Sequence, residues 1–326
     1  MRIGIVGAGA VGGWMGARLA AAGHTVSMVA RGATLDSLQT KGLTCIEDTG
    51  AYTTPILAAR SCQDLDVQDL VVIAVKSTAM RAVAETIAPF LGRETLVTSA
   101  MNGVPWWFCN GLPAPYTNQR IAAADVDGYI AAAIPLECTL GCVVLASASV
   151  ESAGTVRLNA GNTLIVGDAT GRNPDRAGHV IEMFREARFE TKYSGFIHAD
   201  VWYKLWGNLT MNPLSAIIGT TTDVLLNDEL VRDFATAVMS EAKEIGTRLG
   251  VHIEQQPEER HRVTLGLGAM TTSMLQDVAS RKPVELNTLV GAVCELGRIT
   301  GVQTPFTNAL FGISRLHATV RGLYVA

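Results

Sequence analysis

The chain has no run of about 18 consecutive apolar residues, so a membrane-spanning helix is not expected, although hydrophobic residues make up 48% of its 326 positions. It also lacks an excess of basic charge. There are 26 Lys and Arg against 30 Asp and Glu, a formal net charge of −4, and charged residues make up only 17% of the chain. Nothing in that balance draws a nucleic acid or an anionic membrane surface. The six cysteines (Cys45, Cys62, Cys109, Cys138, Cys142 and Cys294) form no CxxC pair, and with the six scattered histidines they show no zinc spacing, so no metal site is expected. Cys138 and Cys142 read as reduced thiols in a β-rich stretch. There is no internal repeat and no low-complexity tract. No basic segment or cleavage site precedes a first strand that starts at residue 2, and a cytoplasmic protein is expected. The length suggests two domains.

What is present is concentrated first in Met1 to Arg31. Arg2-Ile3-Gly4-Ile5-Val6 reads as a short buried strand, and Gly7-Ala8-Gly9-Ala10-Val11-Gly12 follows at once. An apolar helical pattern runs from Val11 to about Ala22, Gly23 stops it, and a second strand runs from Thr25 to about Ala30. This is a strand–turn–helix–strand unit with glycines where a dinucleotide diphosphate needs them. Gly7 allows the tight turn and Gly9 lets the backbone approach phosphates at the helix N-terminus. Gly12 and Gly16 let the helix press on the sheet. The second strand then lacks the carboxylate that would bond a ribose 2′-hydroxyl; it ends Val29-Ala30-Arg31-Gly32. Arg31 can fork onto a 2′-phosphate, so the expected cofactor is NADP(H) rather than NAD(H) or FAD.

The first half continues in strand–helix alternation: a buried strand from Asp69 to Ala74, a helix from about Thr78 to Ala88, and a strand from Thr95 to Ser99. In such doubly wound sheets ligands bind at the carboxyl ends of the strands. Lys76 and Asn102-Gly103 fall there. Lys76 can meet an anionic cofactor or substrate, and Asn102 offers a donor and an acceptor; the plainer readings are a solvated lysine and a turn-former. Residues 104–120, with Pro105, Pro113, Pro115, Trp106, Trp107, Phe108 and Tyr116, read as a loop. Residues 126–168 read as antiparallel strands extending the sheet. A helix from about Pro174 to Ala187 and a strand near Glu190 to Tyr193 complete a first domain, 1–195. A helical second domain, 196–326, follows. The expected fold class is thus α/β, a Rossmann-type doubly wound domain with an antiparallel extension and then an all-helical domain.

The second concentration of signal is Asp200-Val-Trp-Tyr-Lys204-Leu-Trp-Gly-Asn208-Leu-Thr-Met-Asn212-Pro213. Asp200, Lys204, Asn208 and Asn212 recur every fourth position and form one polar line on a helix that is otherwise apolar. A helix with so narrow a polar line is buried nearly all round, so the line is expected to face a cavity. The alternative is an internal network in which Asp200 pairs with Lys204. Pro213 is expected to end or kink the helix, with Asn212 in its last turn. His198 is read as packing at the helix start. Farther on, Thr272 or Ser273 reads as a helix cap, and Glu285 stands near the start of a helix from Leu286 to Arg298.

These pieces together resemble the ketopantoate reductases (2-dehydropantoate 2-reductases) over nearly the whole chain. The resemblance rests on the glycine pattern from Gly7 to Gly23, Arg31, Lys76 and Asn102-Gly103. It rests also on Trp202-x-Lys204-Leu205-x-x-Asn208-x-x-x-Asn212-Pro213-Leu214, and on Ser273-Met274-Leu275-Gln276-Asp277 with Glu285. It implies an NADPH-binding N-terminal domain, a helical C-terminal domain and a site in the cleft between them. It further implies that Lys204 acts on a carbonyl oxygen, that Asn102, Asn208, Asn212, Ser273 and Glu285 hold substrate or cofactor, and that Lys76 sits near the nicotinamide end. Glu285 either bonds a substrate hydroxyl or keeps Lys204 protonated. Three positions depart from the family pattern. Met101 stands where a glutamine is common and Asn287 where an aspartate is common, and the Trp106-Trp107-Phe108 run is bulky. Those rings either reshape the substrate pocket or pack a loop onto the domain. The expected reaction is NADPH-dependent reduction of a small 2-oxo acid, ketopantoate first. A related D-2-hydroxyacid dehydrogenase acting on a bulkier 2-oxo acid and a non-catalytic NADP(H) sensor are the alternatives. The apolar C-terminal helices could serve a homodimer interface or a monomer core.

Overall fold

Ile3, Ile5 and Val6 are almost wholly removed from water in the first strand, and the sheet grows outward from it. The computed structural model describes residues 1–171 and 175–325, which group into two units. The first unit, Met1–Met101 with Tyr129–Ile197, contains in chain order β1 (Arg2–Val6), α1 (Ala10–Ala21), β2 (Thr25–Val29), α2 (Gly32–Lys41), β3 (Leu43–Glu47), β4 (Gly50–Thr54), β5 (Leu57–Ala59), β6 (Leu70–Ile73), α3 (Met80–Thr86), β7 (Leu96–Ser99), α4 (Tyr129–Ala133), β8 (Thr139–Ser152), β9 (Thr155–Asp168), α5 (Asp175–Glu186) and β10 (Glu190–Tyr193). Pro174, expected to start α5, lies outside the described residues.

The strands β5-β2-β1-β6-β7-β8 are parallel neighbours in that order. The chain builds outward from β1 in one direction, returns, and builds outward through β6 in the other. The order therefore reverses between β1 and β6, the place where doubly wound sheets bind ligands. β8 turns back through Ala153-Gly154 into antiparallel β9, which is the expected extension. β9 then pairs in parallel with β3 at its start and with β10 at its end, while β3 and β4 form an antiparallel pair. The strand expectation for 126–168 fails at its beginning, where α4 and a 3-10 turn at Leu136–Cys138 stand instead. The Tyr129-Ile-Ala-Ala-Ala run favours a helix by propensity. Ile5, Met15, Leu19, Met28, Leu43, Leu164 and Phe184 belong to one core between this sheet and its helices.

A polar clamp ties α1 to the distal strands. Arg18 donates bidentately to Glu47 (2.8 and 2.7 Å) and to the Arg188 carbonyl (2.7 Å), and it also bonds Asn162. The Arg18 and Glu47 side chains are only 10% and 14% exposed, so water screens the pair little. The Arg18 hydrogen bond, against the opposing effect of burial, holds the Glu47 carboxyl below the usual carboxylate range. A lowered folded value means that this stabilisation is present above the unfolded pKa and is lost as pH falls through the folded one. Glu47→Gln is expected to cost about 3 kcal/mol near neutral pH, because it leaves a buried guanidinium without its counter-charge. It should also flatten the acid limb of stability against pH; urea titrations from neutral to acid pH measure both effects.

The second unit is Asn102–Gly128 with His198–Ala326. Its helices are α6 (Ile197–Ile218), α7 (Thr222–Asn227), α8 (Glu229–Leu249), α9 (Pro257–Gly266), α10 (Ser273–Ala279), α11 (Ala292–Thr300) and α12 (Pro305–Val320), with a π-helical turn at Asn287–Gly291 leading into α11. Residues 102–128 thus group with the helical unit and not with 1–195 as the sequence suggested. The reason is apolar: Trp106, Trp107 and Phe108 are at most 7% exposed. Trp107 meets His198 edge-on and Phe108 stacks on Trp202. Glu295 fastens the same segment by accepting from the Ala122 and Ala123 amides (2.8 and 2.9 Å). The aromatic run therefore packs its loop onto the helices. Among the described residues no helix is long and apolar enough to cross a membrane.

Candidate active site

The first unit carries the residues that the sequence leads one to expect at a nucleotide. Gly7 leaves β1 at φ +109°, and a Cβ there would lie 2.7 Å from the Ala74 carbonyl oxygen beyond β6. Only glycine fits this turn. Gly12 is tighter still, because its Cβ would stand 2.0 Å from the Gly7 oxygen. Gly16 would push on Met28 at 2.7 Å and Gly13 on Val156 at 2.6 Å, which accounts for α1 lying so close to the sheet. Gly9 differs: a Cβ there would meet nothing within 4 Å, so its backbone faces open space. Gly9 is also the N-cap of α1, with no side-chain cap and no acidic residue in the first turn. Ala8, Ala10 and Val11 complete the turn without a polar side chain. A bare, positively polarised helix start beside open space fits an anionic diphosphate. Arg31 is exposed in extended backbone as the N-cap of α2. Lys76 is half-buried just beyond β6, next to the point where the strand order reverses.

The second unit holds Asn102, Lys204, Asn208, Asn212, Ser273 and Glu285. On α6, Asp200, Lys204 and Asn208 are half-buried and Asn212 is buried, while Val201, Trp202, Leu205, Trp206, Leu209 and Met211 are buried around them. The polar line is thus embedded in apolar surroundings. Pro213 does not end this helix, and Asn212 is not in its last turn as expected; α6 runs on to Ile218. The missing proline N–H costs one helical bond, but Leu214, Ser215 and Ala216 are buried beyond it, so tertiary packing overrides the break. The Asn212 amide donates to the Ser273 hydroxyl (3.4 Å). Ser215 bonds both the Asn212 carbonyl (3.0 Å) and the Thr272 hydroxyl. Thr272 caps α10 by accepting from the Leu275 amide (3.2 Å). A capped helix start thereby delivers exposed Ser273 to the end of the α6 line.

Asn102-Gly103 is held within the same unit against the π-helical turn. The Val104 amide donates to the Thr288 carbonyl (2.9 Å), and Gly103, at φ +86°, comes so near that a Cβ would lie 2.6 Å from the Thr288 hydroxyl. Half-buried Glu285 stands two residues before that turn. Its flanks are strapped by the C-terminal segment. The Val284 amide donates to the Leu323 carbonyl (3.0 Å), Tyr324 donates to the Asn287 side-chain oxygen (2.7 Å), and the Asn287 amide donates to the Val325 carbonyl (3.3 Å). Asn287 needs both a donor and an acceptor here, and a carboxylate cannot donate. That explains one departure from the family pattern; nothing in the structure explains Met101.

Cys109 and Cys294 are pushed up by burial to about 12 and about 11, so neither is a thiolate nucleophile near neutral pH. His198 is buried and its Nε2–H donates to the Asn110 carbonyl (2.6 Å), the packing role expected of it. The β5 run Leu57-Ala58-Ala59 is too brief to read as a strand from the sequence.

Residues 3–171 match the family described as ketopantoate reductase PanE/ApbA, and residues 197–318 match its C-terminal region. A 2-dehydropantoate 2-reductase of Mesorhizobium japonicum is 38% identical over 99% of this chain and 100% of its own length. A crystal structure of a protein from Ralstonia solanacearum MolK2, provisionally assigned as a ketopantoate reductase, superimposes with a TM-score of 0.95 at 48% identity, covering 99% of each chain. D-Mandelate dehydrogenase, solved with NADH and anilino(oxo)acetate, shares the fold at a TM-score of 0.85 and 18% identity, over 99% of this chain and 100% of that one.

Proposed function

Because this chain belongs to the ketopantoate reductase family, a family of NADP-dependent oxidoreductases acting on CH–OH groups, we propose that it reduces a 2-oxo acid to the 2-hydroxy acid with NADPH, with 2-dehydropantoate as the leading substrate. The observation that carries this reading is the embedded α6 line, Lys204, Asn208 and Asn212, with Ser273 bonded to its end. A bare nucleotide-binding unit would have no use for it.

Gly7, Ala8, Gly9, Ala10, Val11 and Gly12 present backbone to the cofactor diphosphate, Arg31 takes its 2′-phosphate, and Lys76 and Asn102 serve its nicotinamide end. When bound, the reduced nicotinamide supplies a hydride to the substrate's carbonyl carbon. Negative charge then grows on the carbonyl oxygen. The Lys204 ammonium stabilises that charge and delivers the proton. Asn208, Asn212 and Ser273 orient the substrate carboxylate and hydroxyl, which turns a collision into a positioned encounter. Glu285 either accepts a hydrogen bond from a substrate hydroxyl or keeps Lys204 protonated.

NADPH oxidation measured against a panel of 2-oxo acids tests the reading. Ketopantoate should give the highest kcat/KM, and NADH should serve poorly. Absence of turnover with every 2-oxo acid would overturn it. A bulkier 2-oxo acid that outperformed ketopantoate would keep the reaction and replace the substrate.

A further inference from the structure

The last helix turns an apolar seam toward water. α12 exposes Phe306, Ala309, Ile313, Leu316 and Val320, the four large ones at 46 to 70% of their full area. Their alternating steps of three and four residues are the spacing of a helix that packs on another helix. A different face, with buried Thr307, Leu310, Ser314 and Ala318, already holds α12 to its own chain. The seam is therefore surplus to the fold. No carboxylate stands between Pro305 and Val320. At the Phe306 end, Phe234 of α8 meets the Phe306 ring edge-on with centroids 6.1 Å apart. Leu230, one turn earlier on α8 and 80% exposed, extends the patch. These side chains expose roughly 500 Å² together, large for the apolar patch of a monomer and most of the roughly 800 Å² that each partner of a stable interface contributes.

We propose that this seam joins two copies of the chain, with their α12 helices antiparallel across a two-fold axis at Ile313. The proposal does not depend on the reductase reading. The seam is symmetric about its centre, since Phe306 and Val320 stand seven residues to either side of Ile313. An antiparallel copy therefore sets Phe306 against the partner's Val320, Ala309 against the partner's Leu316, and Ile313 against itself. Large meets small on both sides of the axis, as interdigitating layers require. Such self-complementarity is the condition for a closed two-fold interface. The charges agree. Glu229 and Asp233 are exposed on the first turns of α8, at the Phe306 end, and make no ion pair. At the other end exposed Arg321 bonds only His317 of its own helix (3.3 Å). Antiparallel packing carries the acidic end of one copy to the partner's Arg321. Parallel packing would set each end against its own charge, which costs affinity.

Sedimentation equilibrium of the intact protein tests this without any turnover, and the wild-type chain should sediment at twice its own mass. Ile313→Asp lies at an exposed position and should leave the circular dichroism spectrum unchanged. It should raise the dimer Kd at least about a hundredfold, because it places two like charges on the axis. Asp233→Lys alone and Arg321→Glu alone should each weaken the dimer about tenfold, and the double variant should recover most of that loss. With copper phenanthroline as oxidant, Ile313→Cys should form a disulfide-linked dimer, since its two copies meet on the axis. Phe306→Cys should not, since its two copies lie about 21 Å apart along the helices. A wild-type chain that sediments as a monomer overturns the proposal, also where it binds phosphatidylcholine vesicles instead. So does a dimer that survives Ile313→Asp, or one that crosslinks through Phe306→Cys and not through Ile313→Cys.

Discussion

Lys204→Ala is expected to lower kcat by about a thousandfold while leaving NADPH affinity nearly unchanged. The argument begins with the helix. Lys204 sits one turn before Asn208 on α6, half-buried among side chains that are otherwise apolar. Alanine is the best helix former, and the surrounding Trp202, Leu205 and Trp206 are buried on their own account, so α6 should survive the change. What disappears is a cation in weakly hydrated surroundings, where its effect on a developing oxyanion is larger than in bulk water. Arg31 and the glycine turn belong to the other unit, so nucleotide binding serves as the control. Lys204→Arg should recover little, since a planar fork cannot put a compact ammonium at the same point. Single-turnover hydride transfer with ketopantoate reads the loss directly. A variant that kept most of its rate would move the proton donor to another residue.

Gly12→Ala is expected to abolish nucleotide binding and to remove about 3 kcal/mol of stability. The added methyl would meet the Gly7 carbonyl oxygen at 2.0 Å and Ala74 at 3.0 Å. The first of these is backbone against backbone, so no flexible side chain can give way. Either α1 tilts off the sheet or the turn after β1 opens, and both disperse the amides at the helix start. Gly9→Ala is the matched contrast. Its methyl would point into open space, so the thermal midpoint should hold while nucleotide affinity falls, because the space is taken. If both variants lose stability equally, or if Gly9→Ala binds normally, the diphosphate does not lie on the α1 N-terminus. Thermal melts and fluorescence titration with NADPH separate these outcomes.

The β1–α1–β2 unit was readable because each signal is local: a hydrophobic run, a glycine turn and a helical period in direct succession. The α6 line was readable for the same reason. Features that depend on distant partners were not. Residues 32–68 hold α2 and three short strands, and β3 finds its place only by pairing with β9, more than a hundred positions away. Pro213 obeyed its local rule less than the burial around it. The Trp106-Trp107-Phe108 segment follows a Rossmann strand directly, yet it packs with His198 and Trp202. Nothing within the segment itself announces those partners.

That last arrangement bears on how the chain is made. It passes from the first unit to the second at Asn102, returns at Tyr129, and leaves again at His198. On the ribosome, the tryptophans at 106 and 107 emerge long before the helix that shelters them has been synthesised. The nascent chain must therefore carry an unsheltered greasy segment for about 95 residues of synthesis, and a gene cut at codon 195 would yield one fragment bearing that segment without its shelter and another lacking the loop that packs on its helices.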